Sequence, residues 1–455
     1  MANWLSKLSD ALWGFPLIVT LFLVGLYFTV KLHFIQIKFL PKSFRYMFET
    51  KEGADGDITG FGALCTELAA TLGTGNIVGV AAALGLGGAG SLFWMVITAF
   101  FMMAIKYAES FLAVKFRTQK NGSFLGGPFY YIEKGMGKSF KPLAKAFALF
   151  GSLAGVLGMG TVTQIKSVTS AVQGFFDPNI KAAAFNLGGQ KYSDITVLCA
   201  VVFRVLTFFV LVGGIKRIAR VSELFIPLMA GIYIFFCLVI ILTNFEKLGD
   251  ALCLILKDAF NFKSAAGGFF IALKVGMSRG IFTNEAGLGT APIASASAKT
   301  NSPFKQGVVS MSGTFIDTVI MCPLTGLAII LSGTNFRGDP ENVMAQTFKN
   351  GVNFLSDRIM EGVLTVCLVF FAFSTIIGWN FFALSCFRYF TNGKGVKVYN
   401  AFYIFAVFLG AFLPFSAVLK LADIFNALML LPNLIALIFL RKTIINETKL
   451  SLNES

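Results

Sequence analysis

Long apolar runs separated by short polar connections dominate the chain. No charged residue occurs from Ala11 to Val30, a stretch that holds Phe15-Pro16-Leu17-Ile18-Val19 and Leu21-Phe22-Leu23-Val24. A helix of about 20 such residues crosses a hydrocarbon core of ~30 Å. The first run reads as a membrane span, being too long for a cleaved signal peptide and lacking a small-residue cleavage motif. The pattern recurs and predicts eleven spans, over residues 14–33, 60–87, 90–115, 146–175, 193–213, 221–243, 266–297, 307–332, 358–390, 398–413 and 417–440.

Two spans break the pattern. The second contains Thr71-Leu72-Gly73-Thr74-Gly75-Asn76, and the seventh contains Gly276-Met277-Ser278-Arg279-Gly280-Ile281-Phe282-Thr283-Asn284-Glu285-Ala286-Gly287. Glycines and polar groups at membrane depth weaken a helix unless the freed backbone lines a cavity. Glycines that merely let helices approach would account for Gly85, Gly87, Gly88 and Gly90. They do not account for the Thr, Asn and Asn-Glu beside the glycines of the two breaks. These spans open two sets of five, and an odd number of spans per half forces the halves into opposite topology. Interrupted helices at matching places in inverted halves point to a transporter's midplane site. The expected organisation is an extra N-terminal helix and basic loop (1–59), a first five-helix repeat (60–243), a second (244–440) and a tail (441–455).

Composition excludes other classes. Of 455 residues, 56% are hydrophobic and 13% charged, against roughly 25% charged in soluble domains. The net charge of +15 follows topology rather than nucleic-acid binding. Lys38, Lys42, Arg45 and Lys51 sit in one loop, Arg117 to Lys145 in the next basic one, and Arg441 and Lys442 after the last span. By the positive-inside rule the N-terminus lies outside and the C-terminus in the cytoplasm. Seven Cys without a CxxC pair and the single His33 argue against a disulfide framework or a histidine metal cluster. Without a nucleotide motif, an ion gradient is the expected driving force. A channel would need symmetric rings of polar residues, and a membrane enzyme would need a nucleophile elbow, P-loop or His cluster.

At the breaks the chain resembles the alanine/glycine:cation (sodium:alanine) symporter family. The matching stretches are Ala69 to Val80, Phe93-Trp94-Met95, Gly126 to Ile132, Arg279 to Pro292, Phe315-Ile316-Asp317-Thr318, Ser374 to Trp379, and Asn426 to Ile435. The resemblance implies an all-α integral membrane fold of the leucine-transporter type, with 5+5 inverted helices after one extra helix. It implies sodium-coupled uptake of a small neutral amino acid, alanine or glycine, across the bacterial inner membrane. The lipid bilayer is the expected surrounding, with no nucleic acid and no obligatory protein partner.

A zwitterionic substrate needs donors for its carboxylate, and backbone N–H groups at Thr74, Gly75 and Asn76 suit it. Carbonyls near Gly280 and Phe282, with Asn284, suit the ammonium. The resemblance adds Gln164 and Trp379 as pocket walls. It also places sodium on the carbonyls of Ala69 and Leu72 and the hydroxyls of Ser374 and Thr375. Thr375 and Trp379 are four apart and share a helix face, so one turn can touch both ion and substrate. Ordinary bonding of Ser and Thr to their own i−4 carbonyls is the competing reading.

Buried charges carry further expectations. Lys106 and Glu109, three apart, are expected to pair, while Arg279, Glu285 and Asp317 are read as gates or as braces of the broken helix, bracing being the preferred reading. Departures from the family are Glu67, where a small residue is expected, Lys166 just after Gln164, Pro323 within a span, and Ala383-Leu384. A lone charge at the midplane is costly, which leaves two readings: Glu67 and Lys166 form a buried pair, or each reaches separately to water. A proton-coupled or Lys166-assisted carrier is the alternative.

Overall fold

The computed structural model describes residues 2–49, 53–120, 122–180, 183–187, 190–262, 268–413 and 415–453. Lys51 and the first two residues of the expected 266–297 span lie outside them. In chain order, α1 (Ala2–Leu12), α2 (Phe15–Lys31) and α3 (Ile35–Tyr46) precede α4 (Gly60–Thr71) and α5 (Val78–Gly87). Next come α6 (Gly90–Lys115), the short α7 (Pro128–Tyr131), α8 (Lys141–Leu157), α9 (Val162–Phe176), α10 (Asp194–Leu211), α11 (Gly214–Thr243) and α12 (Leu248–Ala259). The remainder holds α13 (Gly268–Asn284), α14 (Ala291–Ser295), α15 (Pro303–Thr314), α16 (Cys322–Leu331) and α17 (Pro340–Gly351). It closes with α18 (Asp357–Phe390), α19 (Val396–Gly410), α20 (Phe415–Phe439) and α21 (Arg441–Asn453). Two antiparallel hairpins, Thr118–Lys120 with Ser123–Leu125 and Ala183–Leu187 with Gln190–Ser193, cap connections.

Among the described residues, eight helical stretches are long and apolar enough to cross a membrane. Three expected spans fall short by length. Two are the broken helices α4/α5 and α13/α14, and the third is the 15-residue α19. Exposed apolar side chains such as Leu198, Leu224, Phe235 and Phe402 ring the outside, the surface that a bilayer would cover.

Local chemistry explains the interruptions. Thr59 caps α4 by accepting from Gly62 N at 2.9 Å. After Thr71 the backbone turns at Leu72 and runs extended through Gly73, where Asn76 Oδ1 replaces a helical acceptor for Gly73 N at 3.2 Å. In the second break Glu285, Gly287 and Gly289 take left-handed φ of 54°, 89° and 80°, a conformation that ends a helix and that glycine adopts without strain. Pro323 leaves its mark as a wide π-turn over Phe315–Met321. Proline lacks the N–H and its ring crowds the preceding turn's carbonyl.

One interruption departs from the expected pattern. The 146–175 span is two helices, α8 and α9, parted at Gly158-Met159-Gly160-Thr161. At this break the chain passes close to α18: a Cβ on Gly160 would stand 2.7 Å from Trp379 Cβ.

Packing brings both broken helices to the centre. α4 lies against α11 and α18, α13 against α6 and α5, and α15 along α6. Outside this core, α1 rests on α20, with Trp13 Nε1 donating to Asp423 O at 2.8 Å. Beyond residue 440 the chain stays helical to Asn453, and α21 docks on α6 through Tyr107 and Thr448, 2.7 Å apart.

Candidate functional site

Between the breaks lies a cavity of about 140 Å³. Gly73, Thr74 and Gly75 line it from the first break, Thr163 and Gln164 from α9, and Arg279, Phe282 and Thr283 from α13. Thr74 Oγ1 donates to Gln164 Oε1 at 3.2 Å across it. Its far end runs along Val78, Gly79 and Ala82 of α5 to Pro340 and Leu419. The Arg279 guanidinium stands 5.8 Å from the Phe282 ring centroid.

Of the residues singled out for substrate, the structure puts Thr74, Gly75, Gln164 and Phe282 on the cavity. Asn76, Asn284 and Trp379 are fully buried and have no surface open to it. Asn76 Nδ2 turns to Asp317, at 2.8 Å from Oδ1 and 3.0 Å from the carbonyl, while Thr325 Oγ1 donates to Asn76 O at 2.9 Å. Asn284 Nδ2 donates to Thr318 Oγ1 at 3.2 Å and its Oδ1 accepts from Ala286 N at 3.0 Å, so it caps the break. The carbonyl of Gly280 accepts from Thr283 Oγ1 at 3.0 Å. Trp379 Nε1 donates to Glu285 Oε1 at 3.0 Å.

Of the residues singled out for sodium, Ala69, Leu72 and Thr375 lie where α18 crosses the first break, whereas the Ser374 hydroxyl stands 3.7 Å from Met229 Sδ of α11. A Cβ on Gly378 would meet Ala69 at 3.2 Å, and one on Gly73 would stand 2.7 Å from Thr375 Oγ1. Leu72 is fully buried beside them. Ser374 and Thr375 hydroxyls both donate to Phe371 O, at 2.8 and 3.0 Å. They thus make the local bonds of helical Ser and Thr, and of the two it is Thr375 that lies against Gly73.

The buried charges depart from expectation. Glu67 does not meet Lys166. Its carboxylate accepts from Ser295 and, at 2.6 Å, from Ser310. Lys166 Nζ instead donates to Ala411 O at 3.3 Å and stands 5.2 Å from the Tyr192 ring centroid. The physical reason is position: Glu67 faces α14 and α15, whereas Lys166 faces the chain between α19 and α20. Lys106 and Glu109 likewise take other partners. Lys106 Nζ donates to Asn284 O at 2.8 Å, and Glu109 accepts from Asn433. Arg279 lines the cavity, whereas Glu285 and Asp317 sit at the breaks as braces. Outside the spans, burial and then Asp339 push Glu341, beside Pro340, up to about 7, with Lys166 pulling the other way.

The ends of the broken helices nearest the basic loops are joined. Asp57 N and Ile58 N donate to Ser297 O at 2.8 and 3.1 Å, and Lys299 N donates to Ile58 O at 2.8 Å. Arg117 bridges the same place, donating to Ala296 O at 3.2 Å, Ala298 O at 2.9 Å, Thr300 O at 2.7 Å and Asp55 O at 3.2 Å. Burial pushes its guanidinium below the usual value, opposed by Asp55 and Asp57. Sequence reasoning counted Arg117 only as a basic loop residue, since nothing local marks an arginine that caps carbonyls some 180 residues away.

Comparison with known proteins adds the family. The chain is 45% identical over 455 residues to an uncharacterized transporter of Haemophilus influenzae, covering 98% of this chain and 95% of that one. It is 40% identical over 452 residues to the sodium/alanine symporter AgcS of Methanococcus maripaludis, covering 98% and 96%. The crystal structure of MhsT in complex with L-phenylalanine superposes with a TM-score of 0.62 at 16% identity, covering 85% of this chain and 90% of that one, so the two share a leucine-transporter-type fold. A model of the sodium:alanine symporter family matches residues 1–453, and the chain belongs to that family, one of secondary transporters and not of enzymes.

Proposed function

We propose that this protein is a secondary active symporter that carries a small neutral amino acid, alanine or glycine, into the cell on the sodium gradient by alternating access. The central cavity carries this reading. At about 140 Å³ it falls well below the roughly 300–1,000 Å³ of ordinary ligand pockets, and suits a substrate of a few heavy atoms. Thr74, Gly75 and Gln164 offer donors for a carboxylate, and Phe282 limits side-chain length. Asn76, Gly280, Asn284 and Trp379 set the shape of the breaks from behind. Sodium is assigned to the carbonyls of Ala69 and Leu72 with the hydroxyls of Ser374 and Thr375. The Thr375 hydroxyl, donating its proton to Phe371 O, keeps its oxygen lone pairs beside Gly73 of the first break.

In this reading eleven spans are arranged as five plus five after one extra helix, with the repeats at 60–243 and 244–440. The N-terminus is outside and the C-terminus cytoplasmic. The Arg117 staple then closes the cytoplasmic side, and the cavity's Pro340–Leu419 end faces outward. Uptake of radiolabelled alanine and glycine into proteoliposomes tests the proposal. Accumulation that requires an inward sodium gradient is the expected result, and uptake indifferent to sodium overturns it.

A further inference from the structure

We infer that Glu285 is a positioning residue that links the ion-side helix α18 to the second break through the indole of Trp379. This rests on the symporter reading above and deepens it.

Glu285 holds a left-handed backbone, φ 54°, two residues before a glycine that adopts the same region freely. A non-glycine residue persists in that conformation where its surroundings over-determine it, and such positions gather at functional sites. The surroundings here are specific. Glu285 Oε1 accepts from Trp379 Nε1 at 3.0 Å, and Oε2 accepts from Thr290 Oγ1 at 2.7 Å, so the carboxylate bridges α18 and the start of α14. On the other side of the break Lys106 Nζ holds the carbonyl of Asn284 at 2.8 Å. Trp379 is also closely packed at its root, because a Cβ on Gly160, between α8 and α9, would stand 2.7 Å from Trp379 Cβ.

Trp379 lies one helical turn after Thr375, whose hydroxyl crowds Gly73. A continuous chain therefore runs from the first break (Gly73), through Thr375 and Trp379, to Glu285 and the cavity residues Phe282 and Thr283. Coupling between sites travels through packed contacts with discrete arrangements. An ion that changes where α18 sits against Gly73 moves Trp379 with it, and the indole N–H passes that displacement to the second break.

The test measures the ratio of alanine KM at limiting and saturating sodium, in proteoliposomes. This ratio does not depend on how much protein is correctly folded, so a merely structural role leaves it unchanged. In Trp379→Phe and Glu285→Ala the ratio is expected to fall by about fivefold or more, the usual lower bound of inter-site coupling. Because both act on one bond, the double variant loses no more than either single. Glu285→Gln, whose amide oxygen still accepts from the indole and whose NH2 can donate to Thr290, retains the ratio within about twofold. If Glu285→Ala does not fold, Trp379→Phe and Glu285→Gln decide the matter. A wild-type ratio preserved in Trp379→Phe, or strictly additive losses, overturns the inference while the symporter reading stands. A wild type whose uptake ignores sodium overturns both.

Discussion

Asn76 Nδ2 lies 2.8 Å from Asp317 Oδ1 and 3.0 Å from the Asp317 carbonyl, so one side chain of the first break spans to the π-turn of a helix 241 residues later. Thr318 Oγ1 completes the carboxylate's shell at 2.6 Å from Oδ2 and reaches Thr283 of the second break at 3.3 Å. Both breaks thus converge on one buried carboxylate. Asp317→Ala takes one of its two acceptors from the Asn76 amide, leaving only the backbone carbonyl, and a buried unsatisfied N–H costs about 1–3 kcal/mol. Thermal melting in detergent is expected to drop accordingly, with Asp317→Asn losing less. Equal melting for Ala and wild type would remove this tie from the account.

Thr375 supplies a hydroxyl at the crossing of α18 and the first break. Thr375→Ala is expected to raise the sodium concentration for half-maximal uptake by about tenfold, in line with the ~1.5–3 kcal/mol of a hydrogen-bond-like contact to a charge. Maximal uptake at saturating sodium falls less. Initial rates across a sodium series check it, and an unmoved half-saturation point takes Thr375 out of the ion site.

Phe282 faces the cavity, whereas Trp379 lies behind it. Phe282→Ala is therefore the change expected to admit larger neutral amino acids. A hydrophobic pocket discriminates by about 1–3 kcal/mol per methylene. Competition by valine and leucine against labelled alanine should strengthen at least about tenfold. The same selectivity order in variant and wild type counts against Phe282 as the limiting wall.

Glu341 is held at about 7 by burial and Asp339, against an ordinary value of 4.5. The folded protein therefore keeps this proton more tightly than the unfolded chain, and the group's contribution is lost as pH rises from about 4.5 to about 7. Glu341→Gln carries no titrating proton. Its melting temperature should fall less than wild type's between pH 5 and pH 8. Parallel curves would show that Glu341 does not titrate in this window.

Arg117 donates to four carbonyls where the broken helices are joined, the cytoplasmic side in the orientation proposed above. Lysine cannot reproduce that planar fork. Arg117→Ala should shift the population toward the cytoplasm-open state, and Arg117→Lys partly so. Ser297, buried at this junction, reports it: in a Ser297→Cys background, labelling by an impermeant thiol reagent from the cytoplasmic side should rise at least about threefold, since a ligand-free two-state shift acts directly on the open fraction. Unchanged labelling would mean that the staple does not set this equilibrium.

The breaks were legible because glycine, threonine and asparagine clustered at membrane depth weaken a helix that apolar residues would have kept whole, and the first broke at Leu72–Ile77 as its glycines suggested. The partners of Glu67 and Lys166 were not legible. Helical phase says which stripe a residue occupies, but not which neighbouring helix covers that stripe, and Ser295 and Ser310 carry no local sign of facing a carboxylate. The α8/α9 interruption did leave a signal in Gly158-Met159-Gly160-Thr161, masked by the apolar residues around it. Trp379 lies on its expected span but off the cavity, and its indole N–H meets Glu285, a choice that depends on where two distant segments meet.

The backbone pairing of Ile58 with Ser297 and Lys299 also makes a clock. The amide protons of Ile58 and Lys299 are tied up while these ends of the broken helices stay together and meet water only when they separate. Their exchange with deuterated solvent therefore counts openings of that side one by one, in membranes and without any label. A substrate or ion that holds the protein outward should slow these two amides together, while leaving the amides of α6 as they were.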